Sequence, residues 1–190
     1  MPSRGKAKGN SWERELASLL SSEFNLPFQR VPNSGAFLGG SNAFRRDSLD
    51  AKQARIMTGD LIVPEELNHI SFECKFYKSF DYHQLYNQNK QFEDWVQQAN
   101  DGCNSDQIWF LCIKANRREP LIAFRSATFI DIVSLGNYTS YKYKDFHIYI
   151  TELKPFIKRA KERILHLGKL PLISLNECST DPLGMMQGMV

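Results

Sequence analysis

Between Ser11 and Phe24 the apolar residues Trp12, Leu16, Leu19 and Leu20 recur at helical spacing, which predicts an amphipathic helix that stops before Pro27. Residues 28–31 read as a short strand. The stretch 33–58 is rich in Gly, Ser and Arg, with one short helix expected near 48–56. Leu61 to Val63 is a short apolar run introduced by Gly59-Asp60 and closed by Pro64, and a second strand is predicted from Ile70 to Phe76. The turn at 65–69 suggests that these two strands pair as a hairpin. Leu85, Phe92, Val96 and Ala99 mark another helix, expected to end before Asp101-Gly102. Strands are predicted at 108–114 and 120–124, separated by Asn116, Arg117 and Arg118, and again at 146–151. A basic helix then runs from about Pro155 to Leu167, with Pro near its first turn and Gly168 just past its end.

Strands interleaved with helices point to an α/β domain, a central mixed β-sheet flanked by helices. The chain has 190 residues and is 42% hydrophobic, enough for one sizeable core and too little for two large domains. The expected organisation is a basic flexible arm over 1–10, a folded domain over 11–168 with an insertion at 36–58, and a tail over 169–190. Four cysteines, Cys74, Cys103, Cys112 and Cys178, show no zinc-binding spacing, and no apolar signal peptide is evident, so a reduced, cytoplasmic protein is expected. No apolar run approaches the roughly 18 residues that span a bilayer.

Lys and Arg total 24 against 21 Asp and Glu, a net charge of +3, which by itself says little about a polyanionic partner. The distribution says more. Basic residues gather at Arg4, Lys6 and Lys8, at Arg45, Arg46, Lys52 and Arg55, and at Lys154, Lys158, Arg159, Lys161 and Arg163. Each group is as readily a solvated face as a contact surface.

The chemistry concentrates in the strand Ile70-Ser71-Phe72-Glu73-Cys74-Lys75-Phe76. Alternation sends Ile70, Phe72, Cys74 and Phe76 to one face, and Ser71, Glu73 and Lys75 to the other. An acid and an ammonium therefore lie side by side opposite the apolar face. Hairpin pairing would bring Asp60 close to Glu73, and two converging carboxylates repel unless a cation lies between them. Hard oxygen ligands favour Mg²⁺, with Mn²⁺ able to substitute. A bare Glu-x-Lys is more often an ordinary exposed strand, so the surrounding order of elements matters.

That order is Gly9 with Trp12-Glu13-Arg14-Glu15-Leu16, then Arg30 with Ser34, then Asp60-Leu61-Ile62-Val63, then Glu73-Cys74-Lys75. It resembles the PD-(D/E)xK nucleases, and within them the archaeal-type Holliday junction resolvases, over roughly the first hundred residues. The resemblance implies a restriction-endonuclease-like fold and a metal-dependent endonuclease acting on branched or four-way-junction DNA as a homodimer. It makes Asp60 and Glu73 metal ligands, with the Cys74 carbonyl as a third. Lys75 would then orient or activate the attacking water. Glu13 is a further ligand candidate, although Asn10 and Glu13 also fit a helix capping box. Arg14, Arg30 and Ser34 become phosphate contacts, and Arg45, Arg46 and Arg55 in the insertion become further DNA contacts. Gln88 and Gln91 compete for an assisting position on the following helix. Trp12 and Trp95 read as core, and the four histidines carry no ligand pattern.

The segment 36–58 departs from compact resolvases, which have a short loop there, and this leaves junction selectivity open. Two rivals follow. One is a sequence-specific endonuclease of restriction or homing type, reading bases with the insertion and the 116–118 loop. The other is a DNA-binding module without catalysis.

Overall fold

The computed structural model describes residues 4–32, 51–80, 89–125 and 127–169. Five strands form the main sheet, in the order β3-β4-β5-β7-β6: β3 (Ile70–Tyr77), β4 (Ile108–Ala115), β5 (Leu121–Phe124), β6 (Tyr138–Tyr143) and β7 (Phe146–Glu152). The β3–β4 pair is parallel and the other pairs are antiparallel. The sheet is therefore mixed, as expected, and consistent with a restriction-endonuclease-like fold.

Helices cover both faces. On one side Trp12, Leu16 and Leu20 of α1 (Arg4–Phe24), with Phe156, Ile157 and Ile164 of α5 (Leu153–Leu167), pack against Ile70, Phe72, Phe110 and Phe124. On the other, Phe92, Trp95, Val96 and Ala99 of α3 (Lys90–Gly102) meet Trp109, Leu111, Ile113, Ala123 and Ile148. Among the described residues there are also two smaller helices, α2 (Ala51–Ile56) and α4 (Ile130–Val133). Seven of the eight β4 residues are buried, because both faces of that strand are covered. Trp12 and Trp95 are core residues, and the Trp12 indole N–H donates to the Cys112 carbonyl at 3.0 Å, fixing α1 over the sheet.

Several boundaries differ from expectation. Helix α1 begins at Arg4, not Ser11, so most of the residues assigned to a flexible arm are helical. Asn10 then lies well inside the helix, which excludes the capping box. Helix α3 starts at Lys90, where the Asn89 side chain accepts the Phe92 N–H at 3.0 Å, and it runs through Asp101-Gly102 before stopping. The strand β6 was not expected: its sequence YTSYKY is polar on its exposed positions.

The expected hairpin does not form. The short strand β2 (Leu61–Ile62) pairs antiparallel with β1 (Gln29–Arg30), and β3 takes β4 as its ladder partner. Between Asp60 and Ile70 the chain turns through a 3₁₀ segment, Glu65–Leu67, and comes back so that Gly59 and Phe72 form a parallel bridge. A chain that returns to run in the same direction cannot make a hairpin.

Candidate active site

Backbone hydrogen bonds place Asp60 before any side chain acts. Its carbonyl accepts the Val31 N–H at 2.9 Å, and its own N–H donates to the Phe72 carbonyl at 2.7 Å. It is thus clamped between the end of β1 and the outer edge of β3. Gly59 makes this possible: its φ is +82°, and a Cβ there would lie 2.4 Å from the Phe72 carbonyl oxygen. Only glycine suits both the conformation and the close approach. The Asp60 carboxylate then turns along β3 and accepts the Cys74 N–H at 2.7 Å through Oδ2.

On the α3 side of β3, Glu73 and Lys75 stand as alternation predicts. Lys75 Nζ donates to Glu73 Oε1 at 2.7 Å, and both side chains are largely shielded, at 14% and 12% exposure for Lys75 and Glu73. Gln98 of α3 closes this pair into a ring. Its Nε2 donates to Glu73 Oε1 at 2.6 Å, and its Oε1 accepts from Lys75 Nζ at 2.8 Å. An amide is suited to the task because it offers a donor and an acceptor on one planar group.

The sequence points to Gln88 and Gln91 for the assisting position, and Gln98 escapes it. Gln88 lies outside the described residues. Gln91 is on the same side of α3 as Gln98 but two turns earlier, about 10 Å along the axis, and it is exposed without a contact to Glu73. The spacing of seven between Gln91 and Gln98 is visible in the sequence, but the level at which α3 crosses β3 is not.

The electrostatics of the corner follow from this packing. Burial, and then the nearby Glu73 charge, push the Asp60 carboxyl up to about 7, with Glu13 adding to the rise. The Cys74 N–H and Lys75 act against it. Two carboxylates thus face one another in a shielded place, where a hard divalent cation would relieve the repulsion. Among the described residues no group of three or more His, Cys, Asp or Glu side chains is arranged to hold a metal. Mg²⁺ does not require one, since it is held by one or two carboxylates together with water and substrate oxygens. The Cys74 sulfur is a poor ligand: burial first, then Asp60, hold its thiol well above the usual range, so it stays protonated. Of the Cys74 atoms, the main-chain carbonyl oxygen is the one whose chemistry suits a hard cation. The residues present therefore fit a magnesium-type ion.

Glu13 reaches the same corner from α1 and is buried, at 7% exposure. Its Oε2 is ion-paired with Arg30 Nε, and Arg30 Nη2 donates to Asn10 Oδ1 at 2.9 Å. Glu13 and Arg30 thus act on each other, tying α1 to β1 beside Asp60. Arg14 is exposed on the outer side of α1. Arg55 is ion-paired with Asp106, and its carbonyl accepts from Gln107 Nε2 at 3.3 Å, so it fastens α2 to the loop before β4. Ser34, Arg45 and Arg46 lie outside the described residues, as does the expected tail from 170 onward.

Among the described residues no helix is long and apolar enough to cross a membrane. The family description "Phage putative PDDEXK endonuclease" matches residues 4–166. Protein D14 of Escherichia phage T5 is 28% identical over 162 residues, which is 82% of this chain and 92% of D14. No solved structure matches significantly. The range matched includes the positions of Glu13, Asp60, Glu73, Lys75 and Gln98, and the chain belongs to the phage PDDEXK endonuclease family and is a nuclease.

Proposed function

We propose that this nuclease is a Mg²⁺-dependent endonuclease that hydrolyses DNA phosphodiesters, that it prefers branched DNA such as a four-way junction, and that it works as a homodimer. The observation that carries the catalytic part is the Glu73–Lys75–Gln98 ring, bonded at 2.6 to 2.8 Å, beside an Asp60 fixed on the Cys74 N–H. Asp60, Glu73 and the Cys74 carbonyl would hold the ion. Mg²⁺, or Mn²⁺ in its place, supplies charge at a phosphoryl oxygen and makes a nearby water more acidic.

The chain's own residues supply the rest. Lys75 has three ammonium donors, of which Glu73 and Gln98 take two, leaving one for the attacking water or a phosphate oxygen. With its ammonium held on both sides, Lys75 loses little freedom when substrate arrives. No covalent nucleophile is required. Glu13 and Arg30 hold the α1–β1 corner against Asp60, and Glu13 is retained as a further ligand candidate. Branched DNA is favoured by the resemblance of the ordered motifs to junction resolvases. A two-fold protein would bring two such sites to a substrate with two symmetry-related strands to cut.

Purified protein incubated with Mg²⁺ and a panel of four-way junction, flap, linear duplex and single-stranded DNA tests this reading. Cutting of junctions in several unrelated sequences is expected. Preferential cutting of one linear sequence would replace the resolvase reading by the sequence-specific one, and robust turnover in EDTA would remove the metal. Gln98→Ala should lower the single-turnover rate about 10- to 100-fold, since hydrogen bonds to charged groups contribute roughly 1.5 to 3 kcal/mol. Affinity for DNA should barely change. A wild-type rate in this variant would show that the ring has no part in positioning Lys75.

A further inference from the structure

We propose that Lys8, Arg117 and Arg118 form a second grip on the DNA backbone, beyond the C-terminal end of β3 and several nucleotides from the phosphate that is cut. The proposal rests on the nuclease reading above and adds a substrate-binding surface to it.

The first support is register. Because β3 and β4 are parallel, Lys75 is level with Ile113 and Tyr77 with Ala115, so the turn 116–118 emerges at the end of the sheet that Lys75 faces along the strand. From Ile113 to Arg117 is four residues, about 13 Å at the rise of a strand. Phosphates of one DNA strand advance about 3.4 Å per nucleotide along the duplex axis, so a duplex lying along β3 would meet the turn about four nucleotides from the cut.

The second support is the turn itself. The Arg118 N–H donates to the Ala115 carbonyl at 3.3 Å, which makes Arg117 the third residue of a tight turn, and its φ is +59°. Glycine or asparagine is the residue suited to that position, and a long side chain is disfavoured there. The strained position presents an exposed guanidinium. Backbone strain of this kind is found where the side chain has a task.

The third support is charge. Among the described residues neither Arg117 nor Arg118 has an ion-pair partner, while nearby acids are engaged elsewhere: Glu15 by Lys114, and Glu119 by Lys154 at 3.6 Å. Helix α1, extended back to Arg4, adds a third cation. Lys8 Nζ lies 5.5 Å from the centre of the Phe76 ring and 3.5 Å from Asn116 Oδ1, next to the turn. Lys8 thus lies beside the turn that carries Arg117 and Arg118, and cations presented together at one end of the sheet attract a phosphate backbone.

The test pairs Arg117→Gly with Arg118→Gln in the full chain, with Lys8→Gln as a separate variant. Glycine accepts the φ of Arg117 without strain, so the melting temperature should stay level or rise while DNA affinity falls. Binding is measured with Ca²⁺ over a salt series, on a linear duplex and on a four-way junction of unrelated sequence. The slope of log affinity against log salt should become less negative by about 0.9 for each phosphate no longer neutralised, or about 1.8 for the pair on duplex DNA. Single methylphosphonates placed along the backbone should weaken the wild type at positions about four nucleotides from the cut and leave the double variant indifferent there. Unchanged salt slope and an unchanged interference map would overturn the proposal. So would a change in which base sequence is preferred, since that would make the turn a base reader. Should the wild type cut none of these DNAs with Mg²⁺ or Mn²⁺, the endonuclease reading fails, but the salt slope still decides the backbone grip.

Discussion

Asp60→Asn and Glu73→Gln are each expected to lower Mg²⁺-supported cleavage about 10³-fold or more, on the scale of losing a central electrostatic group in a shielded site. Each change removes one negative charge and almost no volume. The amide of Asp60→Asn would keep an oxygen for the Cys74 N–H that Asp60 Oδ2 now accepts at 2.7 Å, and that of Glu73→Gln would keep an oxygen for Lys75 and Gln98. Folding and DNA binding should therefore persist while affinity for the divalent ion falls. Lys75→Ala should also lose activity, yet retain metal binding, because both carboxylates remain. Single-turnover cleavage read alongside Mn²⁺ binding by calorimetry separates these effects. Near-normal cleavage by either carboxylate variant would remove the proposed centre from this corner of the fold.

The same aspartate should govern how the metal-free protein responds to pH. Burial and Glu73 raise the Asp60 carboxyl from 3.8 to about 7 in the folded chain. Between those values the unfolded chain has released a proton that the folded chain still holds. The Asp60 contribution to stability is therefore greatest below about 4, falls as pH rises towards 7 and is level above it. Buried His69, lowered to about 4, contributes a rise between about 4 and 6.5 that wild type and variant share. A shift of that size corresponds to a destabilisation on the order of a few kcal/mol at pH 8, using about 1.4 kcal/mol per pH unit. Asp60→Asn should abolish this decline and leave the metal-free variant the more stable protein at pH 8, by about 10 °C in melting temperature for a domain of this size. Mg²⁺ should then stabilise the wild type more at pH 8 than at pH 5, where it must displace a proton, and should scarcely affect the variant. Thermal melts in EDTA and in Mg²⁺ across this pH range provide the measurement. Parallel pH profiles for the wild type and Asp60→Asn would show that the carboxylate is not held as described.

Features that depend on local periodicity are legible in the sequence. The Glu73/Lys75 face follows from alternation along one strand, and the core roles of Trp12 and Trp95 follow from helical spacing. The pairing of β3 is not legible, because its partner β4 begins at Ile108, far along the chain, whereas the nearer Leu61–Ile62 makes a hairpin the local choice. The proximity of Asp60 to β3 is expected for the wrong reason: a Gly59–Phe72 bridge achieves what a hairpin would have done. Gln98 is hidden because a helix face can be derived from sequence but its height against a strand cannot. Strand β6 is hidden because only Tyr141 of its six residues is buried, leaving no apolar alternation to see. Arg55 is expected as a DNA contact, and its pairing with Asp106, which comes from far along the chain, is not legible in the sequence.

The clamp around Asp60 has one further effect, on self-association. Strand β3 is the last in its sheet, and an uncovered edge strand of eight residues offers a row of unpaired amides and carbonyls to any passing chain. Here the Phe72 carbonyl is taken by the Asp60 N–H and the Cys74 N–H by the Asp60 carboxylate, so the loop that carries Asp60 also hems the sheet. The residue that would bind the ion thus also occupies two edge groups that a second copy could otherwise pair with. Truncating it to alanine would free the Cys74 amide and confuse lost catalysis with aggregation, whereas asparagine silences the chemistry with the hem intact.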